Sequence, residues 1–441
     1  MFNSLKKAII DRAAELGVTE YEIYYSSNSS ASAETLGHEI SALTSSTSGG
    51  ICFRCVVDGK MGYASTQLMT EAEMKELVDR ALENGRYTEK EDTVGIFPGA
   101  EKYGKTNAPE YTPLTAEELR NAALEIQEAN YAADEKVKEG TQSQVETSES
   151  IVRIVNSHGL DLSNKVGLNV AVSVAVVEDN GESQDEYSFC EYGKKTAREM
   201  AEDAVKGALD KIGAVVPPTG KYNIVFDAKQ MRTMLAVFAD AFSAKTAQAG
   251  MSRLAGKEGE KIASDIINIT DDPMREGFSI QTYFDAEGVP AYKKDVVKNG
   301  VLMTLLHNRE TAAVAGCETT GNASKAGYSA PIGVSTYAFC IEAGENTKDE
   351  LMALAGDGIY ITEVKGLHAG ANSVTGDFSI ESAGFMIEEG KKTYPIKSFT
   401  VAGNFFDMLR DVSALSGEVD VGFSGYGAPD MLVRDMSVAG K

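Results

Sequence analysis

The stretch from Gly366 to Ser379 gathers residue types that could do chemistry into one short segment. It reads Gly-Leu-His-Ala-Gly-Ala-Asn-Ser-Val-Thr-Gly-Asp-Phe-Ser, between predicted strands over Ile359 to Lys365 and Phe378 to Ile387. Glycine permits backbone conformations closed to other residues and a close approach by a ligand, while His, Asn and Asp supply hydrogen bonds. The segment is either a shaped binding loop or a turn-rich connection between strands. Composition alone favours the turn-rich connection.

A Cys-x-x-Cys pair, Cys52 and Cys55, could indicate redox chemistry or half of a metal site. A redox pair normally lies at a helix N-terminus, where the thiol pKa is lowered. Here Ile51 to Val57 is predicted as a strand, and residues three apart on a strand point to opposite faces. We therefore interpret the pair as accidental.

A zinc hydrolase would need closely spaced ligands, commonly two of them one helical turn apart. The four histidines, His38, His158, His307 and His368, are each more than sixty residues apart. A site could still assemble in space from His307 or His368 with Asp377 or Glu363. No Gly-x-Ser-x-Gly elbow occurs, so the sequence gives no support for serine-nucleophile chemistry.

The charge balance limits the possible partners. Forty-two basic against 66 acidic side chains give a net charge of −24, which disfavours direct binding of nucleic acid. The N-terminus lacks a signal-peptide pattern and no stretch is apolar enough to span a membrane, so we expect a cytoplasmic protein. Five scattered cysteines are typical of reduced thiols in that compartment.

The elements that carry these residues fall into two parts. Capping boxes at Thr70, Thr115 and Thr196 predict helices, and a turn at Asp58-Gly59 predicts a hairpin. We predict an N-terminal α+β domain over residues 1–216, in which two similar layers, 1–90 and 115–212, pack helices on antiparallel strands. A long connection, Glu89 to Pro113, separates the layers.

The second part begins after the Pro217 to Gly220 stretch, which we interpret as a domain boundary. A helix is predicted over Met231 to Gln248, followed by many strands and few helices, including a tight hairpin at Asn299-Gly300. We therefore predict a β-rich C-terminal domain over residues 221–441 that forms an antiparallel sheet or an open barrel. The fold class of the chain is α+β.

Several ordered motifs together resemble the TldD/PmbA family, whose members have been called modulators of DNA gyrase and are linked to metal-dependent proteolysis. The resemblance spans nearly the whole chain and is strongest beyond residue 280. The motifs are Phe284-Asp285-Ala286-Glu287-Gly288-Val289-Pro290, Lys298-Asn299-Gly300-Val301-Leu302, Thr320-Gly321-Asn322-Ala323, the Gly366 to Ser379 stretch, Ser382-Ala383-Gly384-Phe385, Val401-Ala402-Gly403-Asn404 and Gly427-Ala428-Pro429.

The same resemblance sorts the chain within the family. Active TldD-type members carry His-Glu-x-x-x-His on the helix after the domain boundary and a cysteine ligand near the C-terminus. Here Met231 to Gln248 contains no histidine, and Ser424 stands where the cysteine would fall. The chain is therefore similar to the PmbA (TldE) branch, which implies no catalytic residue and no metal ligand of its own, with zinc expected only in a TldD-like partner.

The resemblance implies a subunit of a cytoplasmic metallopeptidase that acts on peptides or unfolded proteins. It would dimerise through the C-terminal domain, with itself or with a TldD-like subunit, and would bind neither nucleic acid nor membrane. The expected substrate-binding residues are His368, Gly370, Asn372, Gly376 and Asp377. Two alternatives remain, a stand-alone peptidase with a relocated metal site around His368, Asp377 and His307, and a non-enzymatic modulator of DNA gyrase.

Overall fold

Two units with the same order, helix, three strands, helix, form the N-terminal part of the fold. The structure, a computed structural model, describes residues 2–89 and 94–441. Residue 1 of the predicted first layer and residues 90–93 of the predicted connection lie outside them. The first unit comprises α1 (Phe2–Glu15), β1 (Tyr21–Leu36), β2 (Glu39–Val57), β3 (Lys60–Thr66) and α2 (Glu71–Tyr87), and the second comprises α3 (Ala116–Ala133), β4 (Gln142–Asn156), β5 (Asp161–Asp179), β6 (Glu182–Glu191) and α4 (Ala197–Leu209).

The strands of both units form one antiparallel sheet in the order β3-β2-β1-β4-β5-β6, so the units meet where β1 pairs with β4. The predicted hairpin at Asp58-Gly59 is confirmed, and both residues have the positive φ that this turn requires. The predicted capping boxes at Thr115 and Thr196 are present, and the Thr70 side chain caps α2.

Both helix pairs cover the same face of this sheet. Ile23 packs with α1 and α2, and Ala33 packs with α3 and α4. These two residues of β1 are ten positions apart, and side chains an even number apart on a strand point to the same side. The even-numbered side chains of β1 therefore point to the opposite face, where Tyr24 packs against Phe284 of the C-terminal part.

The C-terminal part follows Pro217-Pro218 and is rich in short strands. Its first elements are β7 (Gly220–Phe226), α5 (Ala228–Phe238), a 3-10 turn (Ala239–Phe242), α6 (Ala244–Gln248), β8 (Ile269–Asp271), β9 (Lys294–Lys298), β10 (Val301–Leu302), α7 (Arg309–Ala315), β11 (Ala323–Ser324), β12 (Gly333–Val334) and β13 (Phe339–Ile341). The remaining elements are α8 (Lys348–Ala355), β14 (Gly358–Lys365), α9 (Leu367–Gly370), β15 (Asp377–Glu388), β16 (Lys391–Asn404), α10 (Phe405–Arg410), β17 (Val412–Leu415), β18 (Asp420–Val421), β19 (Tyr426–Ala428) and β20 (Met431–Ala439).

Five of the described strands close into a barrel in the order β16-β15-β14-β7-β20, because β20 also pairs with β16. β7 and β14 run parallel and the other barrel pairs run antiparallel. The α+β class and the β-rich C-terminal part are confirmed. The sequence predicted an antiparallel sheet or an open barrel, and the observed barrel is closed. Its closure depends on the long-range pairing of Thr400–Ala402 with residues 437–439, which sequence patterns do not reveal.

The helix predicted over Met231 to Gln248 is not continuous. It ends at Phe238, passes through the 3-10 turn and resumes at Ala244, because Ser243 leaves the helical conformation and pairs with Leu306. Phe238 and Phe242 are fully buried in the core that α5 shares with the barrel. Of the helices in the described ranges, none is both long enough and apolar enough to cross a membrane.

Glu182, the first residue of β6, connects the sheet to the barrel. Its carboxylate accepts a hydrogen bond from Lys397 Nζ of β16 at 2.6 Å and another from the N–H of Gly213 at 3.0 Å. The hydrogen bonds from Lys397, Gly213 and the Gln184 amide lower the pKa of Glu182 from 4.5 to about 2. The ionised carboxylate of Glu182 therefore stabilises the folded state.

We expect a Glu182→Gln variant to lose stability relative to the wild-type chain in a pH-dependent way. Because the pKa is depressed in the folded state, the wild-type advantage is complete above about pH 4.5 and is lost as the pH falls through about 2. Thermal midpoints of both chains at pH 6, 4 and 2 check this. Glu388→Gln, which removes an exposed carboxylate elsewhere on the barrel, is the control, and a pH-independent difference for Glu182→Gln would contradict the expectation.

Candidate functional site

The predicted binding stretch forms a compact loop between barrel strands β14 and β15. It starts at Gly366 in the left-handed conformation and continues into the single turn of α9. The Asn372 side-chain oxygen accepts the N–H groups of Val374 at 3.0 Å and Thr375 at 3.2 Å. The N–H of Gly376 donates to the Asn372 carbonyl oxygen at 2.8 Å. Asn372 therefore uses its side-chain oxygen to shape the turn.

Asp377 begins β15 and ties the loop to the neighbouring strand. One carboxylate oxygen accepts the Asn404 side-chain amide at 2.9 Å, and the other accepts the Thr375 hydroxyl at 2.8 Å. These hydrogen bonds, from Asn404 first and Thr375 second, lower the pKa of Asp377. The carboxylate is exposed and ionised, but its nearest partners belong to the loop itself.

Two of the predicted glycines are required by close packing. At Gly376, where φ is +85°, a Cβ atom would lie 2.6 Å from the Phe406 ring. At Gly370 a Cβ atom would lie 2.3 Å from the Ser379 carbonyl oxygen. Both distances are shorter than a side chain tolerates, so these glycines allow the loop to pack against the barrel.

His368 differs from its neighbours because its side chain is exposed on α9. Within residues 2–89 and 94–441, no hydrogen bond or ion pair engages its ring. The structure therefore brings the five predicted residues together in one surface loop, where four of them maintain its shape. His368 is the predicted residue whose side chain is available to a ligand.

The relocated metal site does not assemble. His307 is 4% exposed, and its Nε2 atom lies 3.8 Å from the Cys317 sulfur. No group of three or more His, Cys, Asp or Glu side chains in the described ranges is arranged to hold a metal ion. On α5, the residues that face the core are Met231, Met234, Leu235 and Phe238. This set of side chains does not fit the zinc site that the family resemblance associates with this helix.

A groove that the sequence did not predict runs between the sheet and the C-terminal part. Its floor is the even-numbered sheet face, and two adjoining cavities of about 370 and 380 Å³, which share Val166 and Ile280, lie along it. Two cross-strand rows form one half of the floor. They are Ser46-Ser30-Ser148-Leu168 and Ser48-Asn28-Ser150-Val166.

The other half of the floor contains Tyr24, Val152 and Asn164, opposite walls from the C-terminal part. Ser424, which replaces the family's cysteine in the resemblance, is exposed in one wall. The wall residues are Phe278, Ile280, Gln281, Thr282, Phe284, Asp285, Ala286, Ala323, Ser324, Lys325, Thr336, Tyr337, Phe423, Ser424 and Gly425. Serine side chains thus line the floor of one half of the groove, and Phe278 and Phe284 lie in the wall of the other half.

Asp285 holds two of the family motifs together beneath this wall. Its carboxylate accepts the N–H groups of Glu287 at 2.8 Å, Val289 at 2.9 Å and Ala323 at 3.0 Å. Burial raises the pKa of Asp285, the charge of Glu287 acts in the same direction, and the three N–H donors oppose the rise. The N–H of Ala286 also donates to the Ala323 carbonyl oxygen at 3.0 Å, which fixes the wall in place.

A second buried cluster supports the wall at Tyr337. Lys294 Nζ lies 3.2 Å from an Asp271 carboxylate oxygen and donates to the Asn322 side-chain oxygen at 2.9 Å. The Asn322 amide donates to Asp271 at 2.7 Å, and the N–H of Tyr337 donates to its other oxygen at 2.6 Å. Every polar group of this cluster has a partner, which is the arrangement that rigidifies a site.

The groove residues carried weak signals in the sequence. Lys325 follows the Thr320 to Ala323 motif by two positions, and serine-rich runs lie within β1, β2 and β4. Serine runs without apolar alternation usually indicate loops, so the sequence does not reveal that they form the floor of a groove.

Three domain models of one protein family match this chain. The PmbA/TldA metallopeptidase C-terminal domain matches residues 219–440, domain 1 of these proteins matches residues 21–85, and their central domain matches residues 109–212. The metalloprotease PmbA homolog of Haemophilus influenzae is 25% identical over 399 residues, which cover 87% of this chain and 84% of that protein.

Two crystal structures are similar over the whole chain. One is a Thermotoga maritima protein named as a proposed modulator of a DNA gyrase, with a TM-score of 0.89, 28% identity and 100% of both chains covered. The other is TldE from Thermococcus kodakarensis, with a TM-score of 0.88 and 22% identity, covering 98% of this chain and 100% of that one. At that identity the second likeness concerns the fold alone.

Proposed function

Because the chain belongs to the PmbA/TldD metallopeptidase family, we propose that it is the subunit without a zinc site in a cytoplasmic, TldD/TldE-type peptidase. The observation that carries this proposal is the chemistry of the α5 to α6 segment. That segment contains no histidine and directs apolar side chains into the core. In the family resemblance, Ser424 stands where the cysteine ligand would fall. We expect zinc and the catalytic step to reside in a TldD-like partner.

The contribution of this subunit is to bind an extended or unfolded peptide in the groove. Serine hydroxyls both donate and accept hydrogen bonds, so the rows across β1, β2, β4 and β5 can pair with the peptide backbone. Backbone recognition is tolerant of sequence, which suits a peptidase subunit acting on varied chains. The predicted loop, with His368 exposed, would offer a further contact, and the net charge of −24 favours neutral or basic peptides.

The partner would dock on the C-terminal part, as would a second copy of this chain. Short strands form the edges of sheets there. β17 is an edge strand beside β20, and β10 and β18 are the two edge strands of a six-stranded sheet in the order β10-β9-β8-β13-β19-β18. An uncovered strand edge presents unpaired backbone groups that a partner can satisfy. A direct role on DNA, which the name of the Thermotoga maritima protein would suggest, is disfavoured by the net charge.

Co-expression with a TldD-like chain from the same cell tests the proposal. We expect the two chains to elute together. The complex should cleave peptides, and this chain alone should not. Replacing a histidine of the partner's His-Glu-x-x-x-His motif should abolish activity, whereas His368→Ala in this chain should leave the catalytic step intact. Peptidase activity of this chain alone, or a monomer that recruits no partner, would contradict the proposal.

A further inference from the structure

Lys325 is a cation at the end of the groove where the serine rows give way to Tyr24. Its ammonium group donates to the Tyr63 hydroxyl at 2.8 Å. It also lies 4.8 Å from the ring centroids of both Tyr24 and Tyr63. Two aromatic faces and a hydroxyl therefore hold the ammonium group in position, and Lys325 lines the cavity of about 380 Å³.

The Lys325 ammonium has no carboxylate partner among the described residues, although the chain carries 66 acidic side chains. An ammonium group has three donors. The Tyr63 hydroxyl accepts one of them, and the Cys52 thiol, whose pKa burial raises, lies beside the ammonium group as a weak, uncharged acceptor. The carboxylate of Glu22 acts on it from a distance but is already bound by Arg54 through two hydrogen bonds of 2.8 and 3.1 Å. The positive charge at this end of the groove is therefore not neutralised within the chain.

Lys294 also lies beside two tyrosine rings, and it differs from Lys325 in having a carboxylate partner. Lys294 is also buried beneath the groove wall, but its ammonium group is paired with Asp271 and Asn322. Burial lowers the pKa of both lysines, because removing an ammonium group from water disfavours its charged form, but only Lys294 has a carboxylate partner that opposes this. An anion that entered the groove would offset this cost, and an anion at Lys294 would have nothing to add.

We propose that Lys325 makes the groove selective for a carboxylate group of the bound peptide. This inference rests on the proposed function, because it assumes that the groove binds peptides. The carboxylate could be the C-terminal group of the peptide or an aspartate or glutamate side chain. A single carboxylate fits best, since a strongly acidic peptide would be repelled by the net charge of −24.

Fluorescence anisotropy with three labelled peptides tests the inference on the full chain. The peptides share one short sequence of glycine, serine and alanine and end in a free carboxylate, in an amide, or in an amide with one internal glutamate. We expect the free carboxylate to bind about tenfold more tightly than the plain amide, as a charge-assisted hydrogen bond would provide. Tight binding of the glutamate peptide would assign the preference to any carboxylate, and weak binding would assign it to the C-terminus.

Two variants locate the effect. Lys325→Met keeps the length of the side chain without its charge, and should bind the acid and the amide equally while melting at or above the wild-type temperature. Lys391→Met, which removes an exposed lysine from the β15–β16 turn, should keep the wild-type preference. A preference that persists in Lys325→Met would overturn the inference.

The outcomes on the wild-type chain separate this inference from the proposed function. If the acid and the amide bind with the same measurable affinity, the groove binds peptides but Lys325 does not select a carboxylate. If none of the three peptides binds at millimolar concentration, both the carboxylate preference and the peptide groove are refuted. Neither result depends on the folding of a variant.

Discussion

Replacing Arg54 with methionine should lower the free energy of unfolding by about 3–5 kcal/mol, as expected when one partner of a buried ion pair is removed. Arg54 and Glu22 face each other on β2 and β1, are 6% and 1% exposed, and form two hydrogen bonds of 2.8 and 3.1 Å. Burial alone would lower the pKa of Arg54, but the charge and hydrogen bonds of Glu22 raise it, and Glu287 adds to the effect. The variant leaves the Glu22 carboxylate buried without a partner.

Chemical denaturation of four chains measures this effect. The double variant Glu22→Leu/Arg54→Met removes both charges and should recover much of the lost stability, because no carboxylate of the pair remains buried. Lys7→Met disrupts an exposed pair between Lys7 and Asp11, whose side chains are 74% and 52% exposed, and should leave the stability nearly unchanged. Equal losses in Arg54→Met and Lys7→Met would contradict this account of the buried pair.

Asp285→Ala should lower the free energy of unfolding by about 3 kcal/mol or more, because each buried donor left without a partner costs about 1–3 kcal/mol. Asp285 is 3% exposed and accepts the N–H groups of Glu287, Val289 and Ala323. Because these bonds hold the groove wall in place, the variant should also bind peptides more weakly. The same denaturation and anisotropy measurements report both effects.

Asp295→Ala is the matched control for this variant. Asp295 lies on β9 of the same C-terminal part, its side chain is 43% exposed, and it accepts one hydrogen bond from Lys298 at 2.8 Å. Its loss should change stability by less than about 1 kcal/mol and leave peptide binding unchanged. If Asp285→Ala behaved like Asp295→Ala, the carboxylate of Asp285 would not be what fixes the wall.

Local chemistry predicted the parts of this fold that depend on neighbouring residues. The Asn299-Gly300 turn was predicted because its two residues tolerate positive φ, and it joins β9 to β10 as expected. Thr347 and Asn404 likewise cap α8 and α10 through hydrogen bonds to nearby backbone N–H groups, which is a local effect. Cys52 and Cys55 pack in different clusters on opposite faces of β2, as a strand requires.

Features that depend on distant residues were not predictable in the same way. β1 continues from its apolar start through the serines to Leu36 because it is paired on both sides, with β2 and β4. Tertiary pairing overrides the weak strand preference of a run rich in serine. The groove was missed for the same reason, since its floor consists of those serines.

Residue types alone also misjudged the roles within the predicted loop. Asn372 and Asp377 were expected to contact substrate because their side chains can hydrogen-bond, but in the structure they bond to the loop and to Asn404. Whether such a side chain points to a ligand or to its own backbone is decided by the turn it occupies. The binding role of His368, Gly370, Asn372, Gly376 and Asp377 stays a prediction.

The zinc content of the purified chain, measured together with its peptidase activity, tests the central claim most directly. If this chain is the subunit without a zinc site, it will contain far less than one zinc ion per chain and will not cleave peptides without its TldD-like partner. One zinc ion per chain, lost together with peptidase activity in His368→Ala, would contradict the account.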